Sequence, residues 1–282
     1  MRPSLTIVGA GRVGQALGRV LVANGYPIEE VVCRSAASAR TAVRFVGAGR
    51  PLALRSLREI RGRVIVIATP DDAIATVADR LARVGGSLDG VVVLHTSGAR
   101  AASALDALRE RGARLGSMHP LQSFATPELG VERIGGSVFA IEGDHDAVAV
   151  ARRMARDAGG RPVELRAGAK ALYHAAAVLA AGHVTALLDM SLEAMRSAGL
   201  SNEDARAGVL ALARGTLANV ESRGTARALT GPFARGDEGT IARNREALAA
   251  LDPRIAAVYD ALGARSRALA KEIHEDEPDE HG

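Results

Sequence analysis

The stretch Leu5-Thr6-Ile7-Val8-Gly9-Ala10-Gly11-Arg12-Val13-Gly14 decides the fold. A strand-forming run leads into glycines spaced GxGxxG, and the segment Val13–Ala23 that follows has helical character. Each glycine has its own physical task in such a unit. Gly9 permits the tight turn, Gly11 lets a pyrophosphate approach the backbone, and Gly14 lets the helix lie close to the sheet. The helix N-terminus then offers exposed N–H groups and the positive end of its dipole to the anion. Gly9, Gly11, Arg12, Val13 and Gly14 are therefore the first candidates for contact with a dinucleotide.

The choice of dinucleotide is read at the end of the second strand. A site for NAD normally carries Asp or Glu there, about 20 residues past the loop, to hold the ribose hydroxyls. This chain reads Val31-Val32-Cys33-Arg34-Ser35 instead, and its acids Glu29 and Glu30 come before the strand. A guanidinium pairs bidentately with a phosphate, whereas a carboxylate would repel one. Arg34 and Ser35 are thus expected to bind a 2′-phosphate, which favours NADP. Farther along, Ala68-Thr69-Pro70-Asp71-Asp72 closes another apolar run. That strand end should bring Thr69 and Pro70 over the dinucleotide, with Asp71 or Asp72 capping the next helix.

Up to about residue 166, short apolar runs alternate with Ala/Arg/Leu segments of helical character. Strands are expected at Leu5–Val8, Val31–Cys33, Val64–Ala68, Val91–His95, Arg114–Ser117, Val138–Ile141 and Val163–Leu165. Helices are expected at Asp72–Arg83 and Ala101–Arg111 besides Val13–Ala23. Runs apolar on both faces, separated by helices, indicate an α/β domain with a doubly wound parallel sheet of the Rossmann type. From Gly168 onward only helical stretches remain, near 169–198, 202–221, 239–250 and 254–274. The expected organisation is a dinucleotide-binding domain over 1–166, an all-α substrate and dimerisation domain over 167–274, and an acidic tail over 275–282.

Composition narrows the class. The chain of 282 residues is 48% apolar with 2% aromatics and no Trp, so its core must be built from Ala, Val, Leu and Ile. The single cysteine, Cys33, excludes an internal disulfide framework and fits a reducing cytoplasm. No secretory signal pattern opens the chain, and no unbroken apolar run approaches the ~18 residues that span a bilayer. Net charge is +4, and leaving out the five acids of the tail raises it to +9. The arginines are scattered and lack interleaved aromatics, which argues against nucleic acid. A cytoplasmic protein without a membrane or nucleic-acid partner, and without a metal, is the expectation.

Hydride chemistry needs a proton donor or acceptor beside the nicotinamide. Leu94-His95-Thr96-Ser97-Gly98 and Met118-His119-Pro120-Leu121-Gln122-Ser123-Phe124 both follow apolar strands. They should emerge at the carboxyl edge of the sheet, with His119 held extended by the proline after it. A third candidate is Gly168-Ala169-Lys170-Ala171-Leu172-Tyr173-His174, where Lys170 and His174 share a helix face. Near a helix N-terminus a cation is disfavoured, which would lower the lysine pKa.

The set GAGRVG, HTSG, MHPLQSF, FAIEGD, KALYHAAAVLA and LTGPFARGD resembles the bacterial Rossmann-like proteins with a DUF2520-type C-terminal domain. That resemblance covers nearly the whole chain. It implies an NADP oxidoreductase with a dimerising helical domain, in the wider group of 6-phosphogluconate dehydrogenase and of ketopantoate and pyrroline-5-carboxylate reductases. Ser97 with His119-Pro120 is similar to the serine and HP motif of prephenate dehydrogenases, which implies His119 as acid/base and Ser97 as helper. Lys170…His174 is similar to the Lys-x-x-x-Asn helix of β-hydroxyacid dehydrogenases, where lysine donates the proton. Two segments depart from the family pattern: Ala180-Ala181-Gly182 replaces Ala-Ser-Asn, and Asn244 replaces a histidine. Thr230 and Arg235 remain as candidates to hold a substrate, Arg235 by pairing its guanidinium with a carboxylate of the substrate. The expectation is reduction of a small carbonyl or imine compound by NADPH, with a 2-oxo acid such as ketopantoate as one candidate. The competing class is an NADP-binding sensor or dimeric scaffold without turnover.

Overall fold

A computed structural model of the chain describes residues 1–84 and 86–276. The acidic tail expected at 275–282 lies outside the described residues from 277 onward. The chain divides into two compact units, Met1–Leu179 and Ala180–Gly282.

The first unit is built on one eight-stranded sheet among the described residues. The strands are β1 (Leu5–Val8), β2 (Ile28–Cys33), β3 (Arg50–Ala53), β4 (Val64–Ile67), β5 (Val92–His95), β6 (Arg114–Pro120), β7 (Val138–Gly143) and β8 (Arg161–Glu164). They lie in the order β3-β2-β1-β4-β5-β6-β7-β8. The order reverses between β1 and β4, so loops leaving the carboxyl ends of these strands splay apart and open a crevice. The helices are α1 (Arg12–Ala23), α2 (Ala36–Val46), α3 (Ile74–Val84), α4 (Pro127–Ile134), α5 (His145–Asp157) and α6 (Lys170–Val178).

Side-chain alternation explains why the central strands read as unbroken apolar runs. Leu5, Ile7, Val64, Val66, Val92 and Leu94 enter one buried cluster. Their neighbours Val8, Ile65, Ile67 and Val93 enter a second cluster. Successive residues point to opposite faces of a sheet, so a strand covered on both sides is apolar at nearly every position.

Three features depart from the sequence expectation. β3 was not expected, because Arg50-Pro51-Leu52-Ala53 carries a proline. It sits at the sheet edge, pairing only with β2, where a missing N–H costs no ladder bond. The sheet is not wholly parallel, because β7 runs antiparallel to β6. The connection between them spends its length on α4, which packs on α1 with Gly130 against Ala16 and Phe124, so the chain returns from the same edge. Finally, Ala102–Arg111 is a 3-10 helix rather than an α-helix, stopped by Gly112 in the left-handed region.

In the second unit, α7 (Val184–Ser197), α8 (Asn202–Ala228), α9 (Pro232–Arg235), α10 (Glu238–Leu251) and α11 (Pro253–Asp276) follow one another without a strand among the described residues. Ser201 caps α8 by accepting from the Asp204 amide, and Asp237 caps α10 by accepting from Thr240. Between α6 and α7 the helix continues through a π-turn at Leu179–His183. The continuous run Lys170–Ser197 is long and apolar enough, by length and composition alone, to cross a bilayer, with a mean hydropathy of 1.5 over an 18-residue window. The expectation from unbroken apolar runs missed it, because alanines interspersed with single polar residues reach that average. None of this window is buried within the chain.

The large apolar side chains carry the stability of the first unit. Phe139 is fully buried, and Phe139→Ala should lower unfolding stability by about 3–5 kcal/mol in urea titrations. Val163→Ala, at a half-exposed position, should change it by no more than about 0.5 kcal/mol.

Candidate functional site

The carboxyl ends of β1, β4, β5 and β6 surround one cavity of about 430 Å³. Its walls include Gly11, Arg12 and Val13 from the glycine loop and Thr69, Pro70 and Asp71 after β4. Thr96, Ser97 and Gly98 after β5 complete it with His119 of β6 and His174 of α6.

The glycine loop is shaped for an anion. Gly9 takes φ +89°, and a side chain there would stand 2.5 Å from Thr69 Cγ2, so the two strand-end loops are in direct contact. Beside Gly11 nothing lies within 4 Å of where a Cβ would stand. The α1 N-terminus has no side-chain cap and no acid in its first turn. Those features leave backbone N–H groups and the helix dipole facing open space, as a pyrophosphate requires. Thr69 Oγ1, on the same cavity, is buried without a hydrogen-bond partner. The residues present therefore fit a dinucleotide.

Arg34 and Ser35 follow β2 and are exposed. Ser35 caps α2, its Oγ accepting from the Ser38 amide at 3.1 Å. Arg34 has no hydrogen bond or ion pair among the described residues, so its guanidinium is available to a ligand. Asp71 does not cap a helix: Pro70 occupies the N-cap of the short 3-10 turn Asp71–Ala73 with no side-chain bond, and Asp71 lines the cavity.

The titratable groups form one connected set. His119 Nδ1 lies 2.8 Å from the Tyr173 hydroxyl, and the two rings meet edge to face. The His119 and His174 rings are 6.5 Å apart, also edge to face. Gly98 stands against both: a Cβ there would come within 2.9 Å of His119 Nε2 and 2.8 Å of His174 Nδ1. His174 Nδ1 is buried and unpartnered. Burial, helped by the nearby Lys170 charge, pushes the His119 pKa down to about 4, so its ring is neutral at pH 7. Burial raises Tyr173 to about 12, which keeps its hydroxyl protonated.

Lys170 stands elsewhere. Its amine is buried and donates to the Ser97 carbonyl at 2.7 Å, and it does not line the cavity. Burial lowers its pKa to about 8, while the carboxylates of Glu142 and Asp71 favour its charged form. Ser97 is also committed, because its Oγ accepts from the Ala99 and Arg100 amides at 3.1 and 2.9 Å. Of the residues singled out from sequence, the cavity thus collects Gly11, Arg12, Val13, Thr69, Pro70, Ser97, His119 and His174. Thr230 and Arg235 belong to the second unit, beside and within α9, and do not line it.

Sequence reading missed the pairing of Tyr173 with His119 and the engagement of both His95 ring nitrogens. One signal was legible. The chain has 34 arginines but only two lysines, Lys170 and Lys271, so a lysine at 170 stands out against its own composition.

Comparison with known proteins agrees with this architecture. The Rossmann-like domain matches residues 1–120, and the domain of unknown function DUF2520 matches residues 137–266. No curated protein matches the chain in sequence. Among solved structures, protein TM1727 of Thermotoga maritima is 25% identical with a TM-score of 0.77, covering 96% of this chain and 99% of that one. Protein BF3122 of Bacteroides fragilis is 21% identical with a TM-score of 0.74, covering 95% and 98%. A reductive aminase of Aspergillus terreus, in complex with NADPH and ethyl-5-oxohexanoate, is 21% identical with a TM-score of 0.63, covering 96% and 95%. The two matches follow one another along the chain, the Rossmann-like one over the glycine loop and the DUF2520 one over the helices that come after.

With only two lysines, the buried amine can be read directly. In protein labelled with 13C-lysine, the Lys170 signal, told apart from the other by Lys271→Arg, should titrate near pH 8. A midpoint at or above the ordinary lysine value of about 10.4 would contradict the burial described here.

Proposed function

We propose that this union of a Rossmann-like and a DUF2520 domain is an NADP-dependent reductase of a small carbonyl or imine compound, with 2-oxo acids among the candidates. One observation carries the proposal: a neutral histidine, tied behind by a tyrosine, stands on the wall of the cavity that begins at the glycine loop. NADPH was the cofactor in the complex of the reductive aminase, a protein of similar fold. The unpartnered Thr69 Oγ1 and His174 Nδ1 supply polar contacts inside the same cavity.

When bound, NADPH supplies the hydride. Gly11, Arg12 and Val13 would hold its pyrophosphate, and Arg34 beside Ser35 its 2′-phosphate. His119 handles the proton. With the Tyr173 hydroxyl donating to Nδ1, the proton of the neutral ring sits on Nε2, at the cavity wall. Nε2–H then donates to the oxygen or nitrogen of the substrate and polarises the double bond. As negative charge builds on a carbonyl oxygen, that oxygen becomes more basic than a phenolate. The Nε2 proton moves to it and the Tyr173 proton moves to Nδ1; when product leaves, solvent protonates Nε2 and the Nδ1 proton returns to Tyr173, which restores the starting tautomer. Ser97 and Lys170 keep the wall in place. We also propose a homodimer formed through the helices, on which Leu172, Leu179, Leu212 and Leu217 are exposed apolar side chains.

The test is loss of NADPH against a panel of 2-oxo acids, cyclic imines and ketone–amine mixtures. At least one should be turned over, with kcat/KM falling about 10²–10⁴-fold in His119→Ala. Tight NADPH binding with no turnover of any member would favour the sensor. Turnover indifferent to His119→Ala would remove that residue from the chemistry.

Cofactor selection has a separate test. Arg34→Asp should weaken NADPH binding about tenfold or more while leaving NADH binding equal or improved. Unchanged affinity for both dinucleotides would contradict the role of Arg34.

A further inference from the structure

Both ring nitrogens of His95 are spent on one loop. Nδ1 lies 3.2 Å from the Ser97 amide, and Nε2 lies 3.0 Å from the Ala101 carbonyl. An amide N–H can only donate and a carbonyl can only accept. Nδ1 is therefore bare, Nε2 carries the proton, and the backbone dictates the tautomer. The ring is fully buried at the last position of β5, and burial pushes its pKa down to about 4. Both bonds accordingly persist at neutral pH.

The loop that His95 holds has little slack left. Ser97 accepts from two amides through Oγ, and its carbonyl takes the Lys170 amine. Ala102 N–H donates to Glu142 Oε1 at 2.8 Å. With its own N–H on His95, Ser97 has every backbone and side-chain oxygen and nitrogen engaged. The next residue, Gly98, abuts the Nε2 edge of His119 and Nδ1 of His174. A loop shifted by a few tenths of an ångström would therefore be felt by both rings.

We propose that His95 is a positioning residue: through Ser97 and Gly98 it sets where His119 and His174 stand in the cavity, while touching neither substrate nor cofactor. His95 does not line that cavity. The proposal rests on His119 being the proton-handling group, but its test does not require turnover.

Two variants separate the two bonds. In His95→Asn the δ-oxygen replaces Nδ1 as acceptor for Ser97 N–H. In His95→Gln the ε-amide can replace Nε2 as donor to Ala101, and the acceptor at the δ position is lost. In protein labelled with 13C,15N-histidine, His95→Asn should leave the His119 and His174 signals close to those of the parent. His95→Gln should displace both, and the His119 titration midpoint should rise by about one pH unit or more as water reaches the ring. His95→Leu, if it folds, should do the same. Where the substrate panel yields turnover, His95→Gln should lower kcat about tenfold or more and change KM by less than about twofold. Folded His95→Gln protein with unmoved His119 and His174 signals would overturn the proposal. So would His95→Asn disturbing them as much as His95→Gln does. Failure of the panel alone would count against the reductase reading and leave this result standing.

Discussion

The hydrogen bond from Lys170 Nζ to the Ser97 carbonyl holds the site together. It fastens the first turn of α6 to the loop at the end of β5. Tyr173 and His174 follow three and four residues later, on the same side of the helix as the lysine. Once the amine is fixed, the tyrosine reaches His119 and the histidine reaches Gly98. Burying an ammonium is costly unless its charge is answered. Here the carbonyl accepts a hydrogen bond from the amine, and Glu142 and Asp71 supply opposite charge nearby. Glu142 also receives the Ala102 amide, so the 96–102 loop lies between a buried cation and a carboxylate. That arrangement explains why α6, which sequence reading groups with the helical domain after residue 166, clusters with the first unit.

The sheet supplies the frame on which this works. Reversal of strand order between β1 and β4 parts their loops, and the glycine loop lies on one side of the gap. His119 arrives two strands farther along, on β6, in the last residues before the chain turns back into α4 and β7. A crevice lined by backbone N–H groups at one end and two imidazoles at the other suits an anionic, extended ligand whose reactive end meets the histidines.

Much of this was legible in the residues. The glycine loop, the central strands and His119 could be read because each depends on local pattern: buried runs apolar at nearly every position, glycines at fixed spacing, a histidine before proline. β3 was hidden because Pro51 argues against a strand unless the strand is known to be an edge. The reversal of β7 depends on where α4 packs, which no local pattern encodes. The same limit applies within the site. His119 and Tyr173 are 54 positions apart, and Lys170 and Ser97 are 73 apart. Reading Lys170 as a group beside the nicotinamide rested on its place in the helix and on the likeness to β-hydroxyacid dehydrogenases, whereas the structure sets its amine behind the wall, on a backbone carbonyl.

The account centres on the nicotinamide end of NADP(H) meeting His119 and His174 in the first unit. Titration of NADPH into protein labelled with 15N-histidine tests it most directly. The account predicts that the His119 and His174 ring signals shift saturably with the cofactor, while His145, on the exposed first turn of α5, stays in place. Saturable NADPH binding that leaves the His119 and His174 signals unmoved would contradict it.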